Sequence, residues 1–123
     1  MKAYTDLDVW LKCRDLVSKT YSISRQFPKE EMFGLTSQIR RAAVSIPSNI
    51  AEGCGRNHSK DTTQFLFIAR GSLYELETQF YLAFDQKFID EKELNDILER
   101  ITNCKKLLNG FINYYERLTT NNP

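Results

Sequence analysis

The sequence predicts an all-α protein, folded as one antiparallel up-down-up-down four-helix bundle over residues 1–123. Apolar residues recur every three or four positions through most of the chain, which is the spacing of one face of an α-helix. Glycine and proline are scarce, with five and three residues, and no segment shows the strict alternation of a strand. Short connections between helices of similar length favour antiparallel neighbours, and the chain is long enough for a single core.

The four helices are expected at about residues 5–25, 35–54, 59–86 and 90–119. Thr5 and Ser59 are expected to cap the first and third helices, because their hydroxyl groups can accept hydrogen bonds from N–H groups of the first turn. Asp90, followed by Glu93, has the capping-box spacing at the start of the fourth helix. Three of the four predicted helix starts therefore carry a local capping signal.

The third helix is apolar on nearly every side in two segments, "FLFIA" at residues 65–69 and "FYLAF" at residues 80–84. A helix that is hydrophobic all round must be covered on more than one side. A single small bundle leaves one face of each helix in water. This surplus of apolar surface therefore predicts that the protein self-assembles.

Composition and targeting signals indicate a cytoplasmic protein that does not enter a membrane. The N-terminal residues lack the apolar run of a secretory signal, and no segment is apolar enough to span a bilayer. Cys13, Cys54 and Cys104 form no CxxC pair, which argues against a disulfide framework. The formal net charge of +1 excludes a uniformly basic surface, so any anion-binding site must come from local clustering.

The sequence shows no catalytic constellation, and we expect neither an enzyme nor a metal or other cofactor. The single histidine, His58, lies near Cys54, but glycines interrupt the helix between them. Glu52 would provide only a third metal ligand. Glu75 and Glu77 are two residues apart on a helix and face different directions. A solvated histidine beside a loop cysteine is the simpler interpretation.

The segment "QIRRAAVSIPSNIAEGCGR", residues 38–56, forms the second predicted helix and the turn after it. Pro47 is expected to kink this helix, and Gly53 and Gly55 to end it in the left-handed conformation. Polar residues also recur at helical spacing beside the apolar stripe of this helix, and we call this row the polar seam. The seam either lies at the surface or meets the third helix in a hydrogen-bonded layer. Gly71 is expected where the two helices cross closely. The residues assigned to this seam, for helix crossing or assembly, are Arg41, Ser45, Pro47, Asn49, Glu52, Gly71, Ser72 and Glu75.

Basic side chains and the single histidine surround the second helix and the turn that follows it. Clustered cations bind nucleic-acid phosphates, so these residues form a candidate RNA or DNA site. The alternative is a set of solvated charges and ion pairs with neighbouring glutamates, since the net charge is close to zero. The candidate nucleic-acid-binding residues are Arg40, Arg41, Arg56, His58 and Lys60.

Most of the chain resembles a known family. The segments "FPKEEMFGLTSQIRRAAVSIPSNIAEGCGR" and "FLFIARGSLYELETQFYLA" closely resemble the four-helix-bundle proteins encoded within 23S rRNA intervening sequences, also called S23 ribosomal proteins. This family includes the accessory variability determinant of diversity-generating retroelements. The segments most specific to this family are "SIPSNIAEG" and "ARGSLYELET". The opening helix of the family is matched by "LDVWLKCRDL", and only the last helix carries no family-specific segment.

The resemblance implies a homopentameric barrel with a central channel and an association with RNA or DNA. It also implies a reverse transcriptase as partner if the gene lies in a retroelement. Five copies would place Arg56, His58 and Lys60 in a ring at one rim of the barrel, with Arg40 and Arg41 as the alternative contact set. Two functions stay open: a phosphate-binding ring that prefers structured RNA, and a protein-interaction scaffold whose arginines serve subunit contacts.

Overall fold

The computed structural model describes residues 3–121 and contains four α-helices and no β-strand within that range. Two short 3₁₀ helices, Tyr4–Asp6 and Lys29–Glu31, precede the first and second α-helices. The predicted all-α class with four helices is therefore confirmed. The α-helices are α1 (Asp8–Ser24), α2 (Leu35–Cys54), α3 (Ser59–Asp85) and α4 (Glu91–Asn121).

The helices form a square in which each contacts its two neighbours, α1 with α2, α2 with α3, α3 with α4 and α4 with α1. Helices α2 and α3 are antiparallel, because residues early in α3 contact residues late in α2 and residues later in α3 contact earlier ones. Thr62, early in α3, donates to the carbonyl oxygen of Gly53, late in α2, whereas the later Ser72 donates to the earlier Ser45. Within residues 3–121 the diagonal pairs bring no Cα atoms within 8 Å, as expected of an up-down-up-down bundle.

One apolar core fills the centre of the square, and every helix contributes its buried stripe to it. Full burial of a side chain as large as isoleucine or leucine is worth about 1.5–3 kcal/mol, so this core is the main source of stability. The largest fully buried side chains are Phe80, Leu16, Ile39, Ile46, Ile50, Leu66, Leu73, Leu76, Ile97, Ile101, Leu108 and Ile112.

No helix among residues 3–121 is both long and apolar enough to cross a bilayer.

The capping box at the start of α4 is present as predicted. The backbone N–H of Glu93 donates to Asp90 Oδ1 at 2.8 Å, and the N–H of Asp90 donates to Glu93 Oε1 at 3.0 Å. These two bonds satisfy donors that the first helical turn would otherwise leave unpaired.

The other two predicted caps are wrong. The residues preceding α1 and α3 are Leu7 and His58, and neither cap makes a side-chain hydrogen bond. Thr5 instead lies within the 3₁₀ helix, which ends at an extended Leu7, so that α1 begins at residue 8 rather than 5. Ser59 is already helical, and its position places the hydroxyl one residue too late to act as the cap.

Neither glycine at the end of α2 forms a left-handed turn, and one of them, Gly53, allows close packing. Among the described residues no glycine has a positive φ, and Gly55 adopts φ −83°. Gly53 lies inside α2, where an added Cβ would be 3.1 Å from the Thr62 carbonyl oxygen and 3.2 Å from the Phe65 Cβ. The prediction that these glycines supply a left-handed cap is therefore wrong, and Gly53 allows α3 to approach the backbone of α2.

One face of α3 keeps apolar side chains in solvent. Gly71 lies in the middle of this face, and an added Cβ there would meet no atom of residues 3–121 within 4 Å, so the predicted close crossing does not occur within that part of the chain. Neighbouring cations cover the rings that flank this face, Arg56 over Phe65 and Arg70 over Phe67. The apolar residues that remain about half exposed, here called the α3 stripe, are Ile68, Tyr74, Tyr81 and Leu82.

Candidate nucleic-acid interface

The five candidate phosphate-binding residues do not form one cluster. Arg40 and Arg41 lie in the first two turns of α2, whereas Arg56, His58 and Lys60 lie beyond its other end. Fifteen residues separate Arg41 from Arg56, which corresponds to roughly 20 Å along a helix axis. The structure therefore offers two separate candidate sites at opposite ends of the bundle.

The predicted rim site around the α2–α3 turn is partly neutralised. The Arg56 guanidinium lies 4.5 Å from the centre of the Phe65 ring and 3.9 Å from Glu52 Oε1, so it is already engaged by its own chain. His58 and Lys60 are exposed, but Asp61 in the first turn of α3 opposes their positive potential. An anion at this rim would meet fewer free cations than the sequence suggested.

Arg40 connects α2 to α1. Its Nε donates to Ser24 Oγ at 2.9 Å, and its guanidinium lies 4.7 Å from the centre of the Tyr21 ring. These contacts fix the side chain at the edge of the α1–α2 contact. Arg40 therefore has a structural role, and its half-buried guanidinium is only partly accessible to an anion from solvent.

Arg41, the next residue, is exposed and makes no ion pair or hydrogen bond with any residue between 3 and 121. It lines two grooves on the outer side of α2, of about 590 and 550 Å³. The larger groove also contains Arg40 and has no carboxylate among its described lining residues, whereas Glu75 lines the smaller one. Arg41 is the freest of the candidate arginines, and we call the larger groove the arginine groove.

The polar seam predicted between α2 and α3 exists in part. Ser72 Oγ donates to Ser45 Oγ at 2.9 Å, and Asn49 Nδ2 donates to the same Ser45 oxygen at 2.9 Å. Arg41 is not held there by a carboxylate, and Glu52 instead lies near Arg56. The hydrogen-bonded layer therefore consists of three neutral side chains, while the charged members of the seam lie at the surface.

Pro47 lies within α2, which continues on both sides of it as one helix. Proline removes a backbone donor from the helix. Two side chains on the following residues add bonds to the adjacent turn: Ser48 Oγ donates to the Val44 carbonyl oxygen at 2.7 Å, and Asn49 Nδ2 to that of Ser45 at 2.8 Å. Local polar side chains thus add hydrogen bonds next to the position where the proline removes one.

Two of the three cysteines, Cys13 and Cys54, have raised thiol pKa values. Burial raises the pKa of Cys54, which is the opposite of what a nucleophilic thiol needs. The buried Cys13 thiol donates a hydrogen bond to the Cys104 sulfur, and this bond together with burial raises the pKa of Cys13 well above its ordinary value. The same bond lowers the pKa of Cys104, which is itself buried. No group of three or more metal-ligating side chains occurs in the described part of the chain.

Cys54 is therefore expected to react with iodoacetamide more slowly than cysteine in a short peptide near neutral pH. A raised pKa leaves less thiolate at a given pH, so the rate should keep rising at pH values where the peptide has reached its plateau. Mass spectrometry would follow the label, with buried Cys13 and Cys104 unreacted until urea unfolds the chain. A Cys54 that reacts faster than the peptide would restore a catalytic interpretation.

The sequence reasoning missed Phe33. This side chain is 98% exposed, far more than any other large apolar residue described, and it lines both grooves beside Arg41. Its only sequence signal is its place between Met32 and Gly34, outside the periodic apolar stripe of α2. An aromatic residue near a helix start is usually part of the core, and the sequence alone does not distinguish Phe33 from such a residue.

The fold and this surface define a small all-α bundle protein with an arginine-lined groove on its second helix. From residue 5 to residue 110, the chain matches the family model described as 23S rRNA-intervening sequence protein, and it belongs to this family. The family assignment suggested by the sequence phrases is thereby confirmed.

A solved structure has the same fold. It is a protein of unknown function from the S23 ribosomal protein family of Bacteroides thetaiotaomicron VPI-5482, with 24% sequence identity and a TM-score of 0.78. The similarity covers 85% of this chain and 97% of that protein. At this identity the likeness supports the fold alone. No curated protein matches the chain.

Proposed function

We propose that the protein is a non-enzymatic, self-assembling member of its family that binds structured RNA or DNA through phosphate contacts. The observation that carries this proposal is Arg41, an exposed guanidinium without a partner among residues 3–121, in a groove whose lining has no carboxylate. Arginine in such a setting is suited to a phosphate, because its planar fork donates two hydrogen bonds to the oxygens.

Self-assembly into a pentamer would place five copies of this weak phosphate-binding site in one particle. One chain has a net charge of only +1, so a single phosphate contact would bind weakly. In a ring each subunit presents the same groove, and several phosphates can be contacted at once. The exposed α3 stripe supports assembly, because it leaves apolar surface for a neighbouring subunit to cover.

Reversal of one charge in the groove is the direct test of this proposal. Binding of a fluorescent RNA hairpin would be measured by anisotropy at several salt concentrations. We expect Arg41→Glu to weaken binding by about tenfold or more and to lower the slope of log Kd against log salt by about one for each subunit whose groove contacts a phosphate. Arg56→Glu is the matched control, since Arg56 already lies near Glu52, and it should change affinity far less.

Three outcomes would contradict the proposal in different ways. If the wild type binds neither RNA nor DNA at low salt, the scaffold function replaces nucleic-acid binding. If only Arg56→Glu/Lys60→Glu loses affinity, the protein binds nucleic acid at the rim and the arginine groove is the wrong site. If neither variant loses affinity, phosphate contacts lie elsewhere on the bundle.

A further inference from the structure

Phe33 projects from a short, ordered turn between the second 3₁₀ helix and α2. The backbone N–H of Gly34 donates to the Glu31 carbonyl oxygen at 2.9 Å, and the N–H of Leu35 donates to Glu31 Oε1 at 3.1 Å. Phe27, on the other side of the same connection, is buried and stacks against Phe88 with ring centres 5.5 Å apart. The connection thus buries one aromatic ring and holds the other in solvent.

The Phe33 ring is almost fully exposed and lines both grooves, the arginine groove and the smaller groove that contains Glu75. Arg41 lines both grooves as well. An exposed ring beside an unpaired cation combines the two features used to bind single-stranded nucleic acid. Bases stack on aromatic side chains, and cations track the phosphates between the bases.

We infer that Phe33 is a stacking platform for an unpaired base of RNA or DNA, with Arg41 on an adjacent phosphate. This inference rests on the proposed nucleic-acid binding and specifies its substrate as a single-stranded segment, such as a loop or an end. A base within a duplex has both faces covered by its neighbours, so it cannot stack on a side chain. The platform would accept any base, because every base has a π-face.

The unpaired positive charge of Arg41 in the arginine groove favours a nucleotide over an apolar protein surface, and Glu75 lines only the smaller groove. A purely apolar partner that covered the arginine groove would remove Arg41 from water without pairing its charge, which is costly. A phosphate supplies that pairing. The nucleotide therefore satisfies both the ring and the guanidinium, whereas an apolar surface satisfies the ring alone.

The test compares single-stranded oligouridine with a blunt RNA duplex of the same length. We expect Phe33→Ala to weaken oligouridine binding by about tenfold or more, as loss of one stacking contact does, and to leave duplex binding within about twofold. Phe33→Leu should behave like Phe33→Ala, because it keeps apolar surface but has no aromatic face. Phe33→Trp should retain affinity, and its added fluorescence, measured against wild-type Trp10, should be quenched by oligouridine.

Light scattering on each variant separates stacking from assembly. Because Phe33 is almost fully exposed, its replacement should leave the fold and the particle mass unchanged. If Phe33→Ala dissociates the protein, the ring is a subunit contact and the inference is overturned. Equal losses on oligouridine and duplex, or a wild type that binds only duplex, would overturn it while leaving the proposed function intact. A wild type that binds neither ligand at low salt would refute both.

Discussion

Replacement of Gly53 by leucine is expected to destabilise the bundle by about 3 kcal/mol, at the upper end of the usual cost of overpacking. The first atom of the new side chain would already lie 3.1 Å from the Thr62 carbonyl oxygen and 3.2 Å from the Phe65 Cβ. These atoms belong to or adjoin the backbone of α3, so they cannot move without shifting that helix. The shift would also stretch the 2.8 Å hydrogen bond from Thr62 Oγ1 to the Gly53 carbonyl oxygen.

Gly110→Leu is the matched control for this experiment. Gly110 lies within α4, and an added Cβ would meet no atom of the described residues within 4 Å. Leucine forms helix better than glycine by up to about 1 kcal/mol, so this variant should be as stable as the wild type or more stable. Urea unfolding followed by circular dichroism would compare the two variants. A Gly53→Leu protein as stable as Gly110→Leu would show that α2 and α3 do not meet as described.

The sequence predicted the helices well because their signals are local or periodic. The Ile39, Ile46 and Ile50 stripe identifies the buried face of α2 without reference to any other helix. The Asp90–Glu93 capping box closes within four residues, so its spacing alone predicts both hydrogen bonds. The cap at Thr5 was wrong because a competing 3₁₀ turn, equally local, delays the start of α1.

The candidate site was harder to predict because it depends on contacts between helices. Arg40 and Arg41 are neighbours in sequence, but a helix turns about 100° per residue and directs them to different surroundings. Arg40 meets Ser24 and Tyr21 of α1, whereas Arg41 faces solvent. The role of Gly53 likewise depends on where α3 passes, and no local pattern distinguishes a glycine that allows close approach from one that ends a helix.

If the α3 stripe is the contact of the pentamer that the family resemblance implies, we expect the wild type to have a mass of about five times the 14.4 kDa chain in light scattering or sedimentation. Ile68 is 52% exposed, and Gly71 lies one turn along the same face with open space above its Cα. An apolar helix face with a glycine at its centre lets a neighbouring backbone approach closely. We therefore expect Gly71→Leu to dissociate the assembly, because the new side chain would hold the neighbouring subunit away.

Gly110→Leu serves again as control, since it makes the same chemical change on another exposed helix face. In an isolated chain the two substitutions should have the same small effect on stability, because neither side chain meets another atom of the bundle. A difference between their particle masses would therefore come only from contacts between subunits. If Gly71→Leu assembles like Gly110→Leu, the α3 stripe is not the interface. If the wild type itself is a monomer at micromolar concentration, self-assembly is wrong and the exposed stripe needs another partner.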